Sequence, residues 1–122
     1  MSDFARTVGV AAIVALGLTA PAFAHAHLKS AYPAVNSVVT TAPTELDLTF
    51  TEGVNLKFTG VKLIGPDKKA VAIGDGMLMG GDAMFMVPIS GTLAAGVYTV
   101  VWHALSTDGH KTNGTYTFTV KS

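Results

Sequence analysis

The sequence predicts an all-β domain, an antiparallel sandwich or barrel, that follows a cleaved export signal. Apolar residues alternate with polar ones along most of residues 25–122, and turn residues recur about every ten positions. Helical signals are weak over the same range, and its length leaves no room for crossover helices between parallel strands. Six or seven short antiparallel strands with Greek-key connections, in an Ig-like arrangement, satisfy these observations.

The first 24 residues have the three parts of a secretory signal peptide. Arg6 makes the start weakly positive, residues 8–18 are apolar, and the sequence from Pro21 to Ala24 ends with small residues at the −3 and −1 positions of a cleavage site. The apolar run is too short to span a bilayer core of about 30 Å as a helix. We expect residues 1–24 to be removed and residues 25–122 to be a periplasmic domain that is not membrane-embedded; an uncleaved anchor is the alternative.

Strands are predicted where the alternation is clearest. In residues 45–51 the apolar side chains of Leu46, Leu48 and Phe50 share one face, which is therefore expected to face the core. Residues 96–104 form a longer segment rich in β-branched and aromatic residues, as strands prefer. The predicted strands cover residues 45–51, 60–64, 71–73, 83–89, 96–104 and 114–120.

Composition excludes several classes of function. The chain has no cysteine, so disulfides, thiolate catalysis and cysteine-based metal sites are absent. Eight basic and eight acidic residues give a formal net charge of zero without a basic stripe, so nucleic-acid binding is not expected. Any metal site must use histidine, carboxylate, methionine or backbone groups.

The predicted cleavage gives His25 an unusual chemistry. As the first residue of the mature chain it carries a free α-amine and an imidazole, which together chelate a metal in a compact ring. Nitrogen ligands of this kind suit Cu(II), which favours tetragonal N/O coordination. His27 offers a second mode, in which the amine, two deprotonated amides and the His27 imidazole surround the ion.

A further candidate site is the sequence Asp108-Gly109-His110, between the last two long strands. Its carboxylate and imidazole lie two residues apart, and the glycine permits a sharp turn that brings them together. An ordinary hairpin turn is the alternative, since Asp-Gly is a common turn sequence. If the first strand brings His25 beside this loop, the His25 amine and imidazole, Asp108 and His110 form one Cu(II) site.

The methionines form a third pattern. Two Met-x-Met triplets flank Gly80-Gly81-Asp82, and in a hairpin each pair shares a strand face. Thioethers select the soft ion Cu(I), whereas the alternative is ordinary packing by adaptable side chains. The residues of this candidate Cu(I) site are Met77, Met79, Met84 and Met86.

The mature sequence resembles the CopC family of periplasmic copper-binding proteins. The resemblance lies in the His25-Ala26-His27-Leu28 start, in Leu46-x-Leu48-x-Phe50-x-Glu52, and most of all in Ser106-x-Asp108-Gly109-His110-x-x-x-Gly114. It implies a seven-stranded Greek-key β-barrel or sandwich, a copper carrier rather than an enzyme, and Cu(II) ligands at His25, Asp108 and His110. It also offers an acidic residue, Glu52, as a candidate near the metal, with simple exposure at the strand edge as the alternative, and it implies a CopD-type membrane copper transporter or a multicopper oxidase as partner.

Two features depart from this family pattern. His103 stands where many relatives have arginine after the tryptophan, and strand alternation places it on the outer face, opposite Trp102. The methionine spacing differs from the looser M-x-x-M loop with a histidine that some relatives use for Cu(I).

Two functions of other classes compete with the carrier. A copper-brace oxidase like the lytic polysaccharide monooxygenases would use the same terminal histidine, but Asp108 is expected to occupy its open coordination position. A metal-free adhesion domain would leave the terminal histidine and the Asp108-Gly109-His110 loop unrelated.

Overall fold

The protein is a sandwich of two four-stranded sheets in a computed structural model that describes residues 26–122. The all-β prediction is therefore confirmed. A short 3-10 helix, η1, covers Leu56–Phe58. The strands are β1 Leu28–Tyr32, β2 Val38–Val39, β3 Glu45–Phe50, β4 Gly60–Ile64, β5 Met77–Met79, β6 Met84–Pro88, β7 Gly96–Leu105 and β8 Lys111–Val120.

The chain crosses repeatedly between the two sheets. One sheet has the order β1-β3-β6-β5 and the other β2-β8-β7-β4. Only β5–β6 and β7–β8 are consecutive neighbours within a sheet of the described chain. Three strands, β1, β2 and β5, lie outside the predicted strand ranges. The two residues of β2 pair in parallel with the end of β8, whereas an all-antiparallel arrangement was predicted.

The core lies between the sheets and is formed by the alternate residues that the sequence predicted. Leu46, Leu48 and Phe50 of β3 are buried, as are Tyr98, Val100 and Trp102 of β7. The Trp102 ring meets Phe50 edge-on, with 5.4 Å between ring centroids. Trp102 pairs with Gly114 on β8, where a Cβ atom would lie 2.7 Å from the indole ring. The glycine of the S-x-D-G-H-x-x-x-G motif therefore makes room for the tryptophan.

The prediction of a strand over residues 71–73 was wrong. The structure has only isolated bridges in this region, from Ala70 to Ile64 and from Ile73 to Ile89. Ile64 belongs to β4 in one sheet, whereas Ile89 follows β6 in the other. The segment is crossing between sheets, so no continuous ladder forms along it.

Residues 1–25 lie outside the described part of the chain, so the predicted signal peptide and His25 do too. Within residues 26–122, no helix is long and apolar enough to cross a membrane.

Asp47 on the outer side of β3 gives the fold a pH-dependent element. Burial, followed by the hydrogen bond and the charge of Glu45, raises the pKa of Asp47 from 3.8 to about 6. One of its carboxyl oxygens is buried without a hydrogen-bond partner among the described residues. The fold therefore favours the protonated form, and this stabilisation, complete below about pH 4, is lost as the pH rises through about 6.

We expect Asp47→Asn to remove that dependence because an amide does not ionise. The difference in free energy of unfolding between the variant and the parent protein should shift in favour of the variant by up to about 1 kcal/mol from pH 4 to pH 7. This figure is reduced for solvent screening of the partly exposed carboxyl group. Urea unfolding at both pH values measures it, with Asp75→Asn, at an exposed carboxylate, as the control. An equal effect of Asp47→Asn at the two pH values would contradict the assignment.

Candidate metal centre

The loop between β7 and β8 is a tight, internally bonded turn. The Ser106 amide donates to the His110 carbonyl at 2.9 Å, and the Gly109 amide donates to the Ser106 carbonyl at 2.9 Å. Gly109 has a φ of 94°, which a residue without Cβ adopts readily. Ser106 itself is buried. The backbone hydrogen bonds and the buried serine therefore fix the loop to the domain, and the exposed Asp108 and His110 side chains extend from its outer side.

Asp108 and His110 are brought together by this turn. His110 Nδ1 lies 3.1 Å from Asp108 Oδ1, and their side chains are 51% and 35% exposed for His110 and Asp108 respectively. The Ser106 hydroxyl also donates to Asp108 Oδ1. The Ser106 hydrogen bond, and then those of His110, hold the pKa of Asp108 below its ordinary value of 3.8, against an opposing effect of burial. The carboxylate is therefore charged at neutral pH, as a metal ligand must be.

The spacing of the two side chains fits adjacent positions on one ion. Metal–nitrogen and metal–oxygen bonds are about 2.0 Å long, so two ligand atoms at right angles lie about 2.8 Å apart. The distance of 3.1 Å between His110 Nδ1 and Asp108 Oδ1 is close to that value. Both atoms can therefore bind one tetragonal ion after a small adjustment.

The start of the described chain is fixed beside the exit of this loop. Ala26 is fully buried, and its carbonyl accepts a hydrogen bond of 2.8 Å from the Thr112 hydroxyl. The His27 amide donates to Thr51 Oγ1 at 2.9 Å, and the Thr51 amide donates to the His27 carbonyl at 2.8 Å. Thr112 is two residues beyond His110 in the chain, so Ala26 is bonded to the strand that leads out of the Asp108–His110 loop.

These hydrogen bonds bear on the two chelation modes of the terminus. The mode that uses His27 requires its amide to lose the proton that it donates to Thr51 Oγ1. It would also have to rearrange Ala26, which is buried and bonded to Thr112. The mode that uses His25 and the loop requires neither change.

Glu52 lies in a short segment that hydrogen-bonds both to the start of the described chain and to the β7–β8 loop. Its neighbour Thr51 bonds to His27, and its other neighbour, Gly53, accepts from the Thr107 amide at 3.1 Å. Within residues 26–122, however, no three histidine, aspartate or glutamate side chains come together as a metal cluster. Among these residues the preformed part of the site is thus the Asp108–His110 pair.

His103 lies on the outer face of β7, as predicted from strand alternation. It is exposed, whereas Trp102 before it is buried. Its ring covers Gly60 of the neighbouring strand, where a Cβ would lie 2.9 Å from the imidazole. This contact places His103 on the surface of the β4–β7–β8 sheet.

The methionine hairpin forms as the sequence predicted. In β5 and β6, Met77 pairs with Met86 and Met79 pairs with Met84. The residue between the latter two in β6, Phe85, is buried. All four thioethers therefore lie on the outer face of the sheet, in two directly opposed pairs, with Met77 and Met79 the more exposed.

Three hydroxyl residues of the site were given no role from the sequence. Ser106 was noted only as part of a motif, yet its hydroxyl bonds to Asp108 and accepts from the His110 amide at 3.2 Å. Thr112 on β8 bonds to Ala26, and Thr51, directly after β3, bonds to His27. In the sequence, only the position of Ser106, two residues before Asp108, gave a local indication of such a role.

Comparison with known proteins shows the family of the chain. The CopC domain model matches residues 28–121. Protein YobA of Escherichia coli K12 is 43% identical over 99% of this chain and 100% of its own, and copper resistance protein C of Escherichia coli is 39% identical over 87% and 89%. The crystal structure of PcoC, a methionine-rich copper resistance protein from Escherichia coli, superposes with a TM-score of 0.71 at 36% identity, covering 80% of this chain and all of PcoC.

The chain therefore belongs to the CopC family. Proteins of this family are copper-binding carriers and not enzymes, which removes the support for the oxidase alternative. The adhesion alternative loses its support for the same reason.

Proposed function

We propose that the protein is a soluble periplasmic copper carrier that binds Cu(II) through the amine and imidazole of His25, the Asp108 carboxylate and the His110 imidazole. The observation that supports this most directly is the hydrogen bond from the Thr112 hydroxyl to the Ala26 carbonyl. It fixes the residue next to His25 beside the loop that carries the other two ligands. Signal-peptide removal is what creates the amine, so export and copper binding depend on one proteolytic step.

The ligand set favours Cu(II) over other divalent ions. Three nitrogen donors and one carboxylate in a plane match the tetragonal preference of Cu(II), which also binds such ligands more tightly than Zn²⁺ does. Asp108 fills the position that an oxygen-activating copper enzyme would keep open. The site is therefore suited to holding and transferring the ion rather than to catalysis.

We further propose that copper passes to or from a CopD-type membrane transporter or a multicopper oxidase, in copper resistance or delivery. The exposure of His110 and Asp108 supports exchange with a partner, because an incoming ligand can reach the ion from solvent. The named copper resistance proteins among the relatives support the resistance role.

Electron paramagnetic resonance of protein that begins at His25, with one equivalent of Cu(II), tests the site. We expect a tetragonal spectrum whose hyperfine structure reports three nitrogens, and an unchanged spectrum in His27→Ala. A four-nitrogen spectrum that His27→Ala abolishes would instead assign the metal to the amide mode. Failure to bind one equivalent would overturn the copper function itself.

A second copper site is proposed on the methionine hairpin for Cu(I). Directly opposed residues of an antiparallel pair have Cβ atoms about 5 Å apart, and metal–sulfur bonds are about 2.3 Å long. Met77 with Met86, and Met79 with Met84, can therefore converge on a single ion held over the hairpin. Four adaptable thioethers on an outward face, none of them in the buried core of the described residues, are the observation that supports it.

We expect Met84→Leu together with Met86→Leu to weaken Cu(I) binding at least about tenfold, because each opposed pair loses one sulfur ligand. Leucine conserves the volume and the apolar character, so the fold should persist. Competition with a Cu(I) chelator under reducing conditions gives the affinity, and X-ray absorption gives the sulfur ligands. Leu78→Met, which adds a thioether on the opposite, inner face of the hairpin, is the control and should leave the affinity unchanged. Unchanged affinity in the double variant would show that the methionines only pack.

A further inference from the structure

We propose that the groove between η1 and the start of β8 is the docking surface for an acidic protein partner that exchanges copper with the Asp108–His110 loop. This inference rests on the proposed function and adds to it the place and the chemistry of the partner's contact. The groove has a volume of about 330 Å³ and is lined by Lys57, Phe58, His103, Leu105, Lys111 and Asn113, among others.

The groove adjoins the metal loop on both sides. Leu105 is the last residue before the loop and Lys111 is the first after it. The segment that carries η1 is bonded to the same place, since the Asn55 amide donates to the Leu105 carbonyl at 2.8 Å. A protein that docks in this groove therefore lies beside the loop that carries Asp108 and His110.

Its wall carries an apolar contact that the fold does not use. Phe58 is 52% exposed and Leu56 is 45% exposed, on a short helix without a buried residue. The Lys57 amine lies 5.7 Å from the centre of the Phe58 ring. An exposed aromatic residue is typical of interface anchor sites, and the lysine adds a positive charge at its edge.

The charged residues that line this groove are all basic. Lys57 and Lys111 line the groove, Lys62 lies on the neighbouring strand β4, and none of the residues that line the groove is acidic. The strands of this sheet, β2, β4, β7 and β8, contain no aspartate or glutamate. The adjoining loop carries one carboxylate, Asp108, whose charge a bound copper ion would neutralise. A partner with carboxylates around an apolar centre is the complementary surface.

Copper loading strengthens this complementarity. A bound Cu(II) adds two positive charges beside Lys111, reduced by any proton that the metal displaces. The loaded carrier should therefore bind an acidic partner more tightly than the copper-free form, and transfer of the ion should promote release. The partner would thus distinguish the loaded carrier from the copper-free carrier by the charge of this surface.

The test uses a photoreactive phenylalanine analogue at Phe58 in the full chain, expressed in its own host cell, with the same analogue at Val97 as control. Val97 is equally exposed, at 53%, but lies at the other end of β7. Mass spectrometry identifies the captured protein, which is then purified and titrated against the carrier. Lys57→Glu is compared with Lys121→Glu, which reverses a charge beyond the far end of β8.

We expect capture from Phe58 and not from Val97, more capture with copper than without it, and a captured protein with an acidic surface. Lys57→Glu should raise the Kd for that protein about tenfold or more, and Lys121→Glu less than twofold. Capture of a second copy of this chain, of a partner without an acidic surface, or of nothing from Phe58 overturns the proposal. Cu(II) affinity is measured on the same variants; its loss would instead count against the proposed function.

Discussion

Protein that retains Ala24 ahead of His25 is expected to bind Cu(II) at least about a hundredfold more weakly than protein that begins at His25. The extra residue converts the α-amine of His25 into an amide and thereby removes one ligand and the chelate ring. Loss of a residue that only hydrogen-bonds to a metal ligand typically lowers the metal affinity 10–100-fold. Loss of a ligand itself should therefore lower it at least about a hundredfold. Competition titration against a Cu(II) chelator of known affinity measures the difference.

The extension also moves His27 from the third to the fourth position, so it disables both chelation modes of the terminus. His27→Ala in protein that begins at His25 separates them. Under the proposed site this variant keeps its affinity within about threefold, because the Asp108–His110 pair is untouched. If His27→Ala lost as much affinity as the extended protein, the amide mode would replace the proposed one.

The architecture was accessible from the sequence because alternation decides which face of a strand is buried. Leu46, Leu48 and Phe50 are buried in β3 as expected, and the same rule placed His103 outside and Trp102 inside. Alternation also predicted that the hairpin methionines share a face. Where the chain crosses between the sheets, as in residues 71–73, alternation persists without a ladder, and there the prediction failed.

The candidate site divides in the same way between local and long-range determinants. Asp108 and His110 are two residues apart, so a turn alone brings them together, and the sequence sufficed to predict it. The contact that fixes the terminus joins Ala26 to Thr112 across 86 residues. Neither residue has a side chain typical of a metal site, so no motif indicated their role. Their pairing follows from the strand order, which composition and spacing do not specify.

The loop's contribution can be measured by comparing two exposed histidines of the same hairpin. We expect His110→Ala to weaken Cu(II) binding at least about a hundredfold, because it removes an imidazole ligand and the partner of Asp108. His103→Ala, on the outer face of β7 among the residues that line the docking groove, should change the affinity less than about twofold. Competition titration of both variants gives the two values, and thermal unfolding without metal shows whether each keeps the fold.

This pair of variants separates a defined site from nonspecific binding by surface histidines. If exposed imidazoles bound copper nonspecifically, removal of either histidine would lower the Cu(II) affinity by a similar, small amount. Equal losses of affinity in the two variants would therefore contradict the proposed ligand set. The proposed site requires a large loss at His110 and not at His103, since the His110 ring lies 3.1 Å from Asp108 whereas the His103 ring lies over Gly60. If His110→Ala lost little Cu(II) affinity and still bound one equivalent, the copper site would be assigned to the amino terminus alone. Asp108 would then have no role in holding the ion.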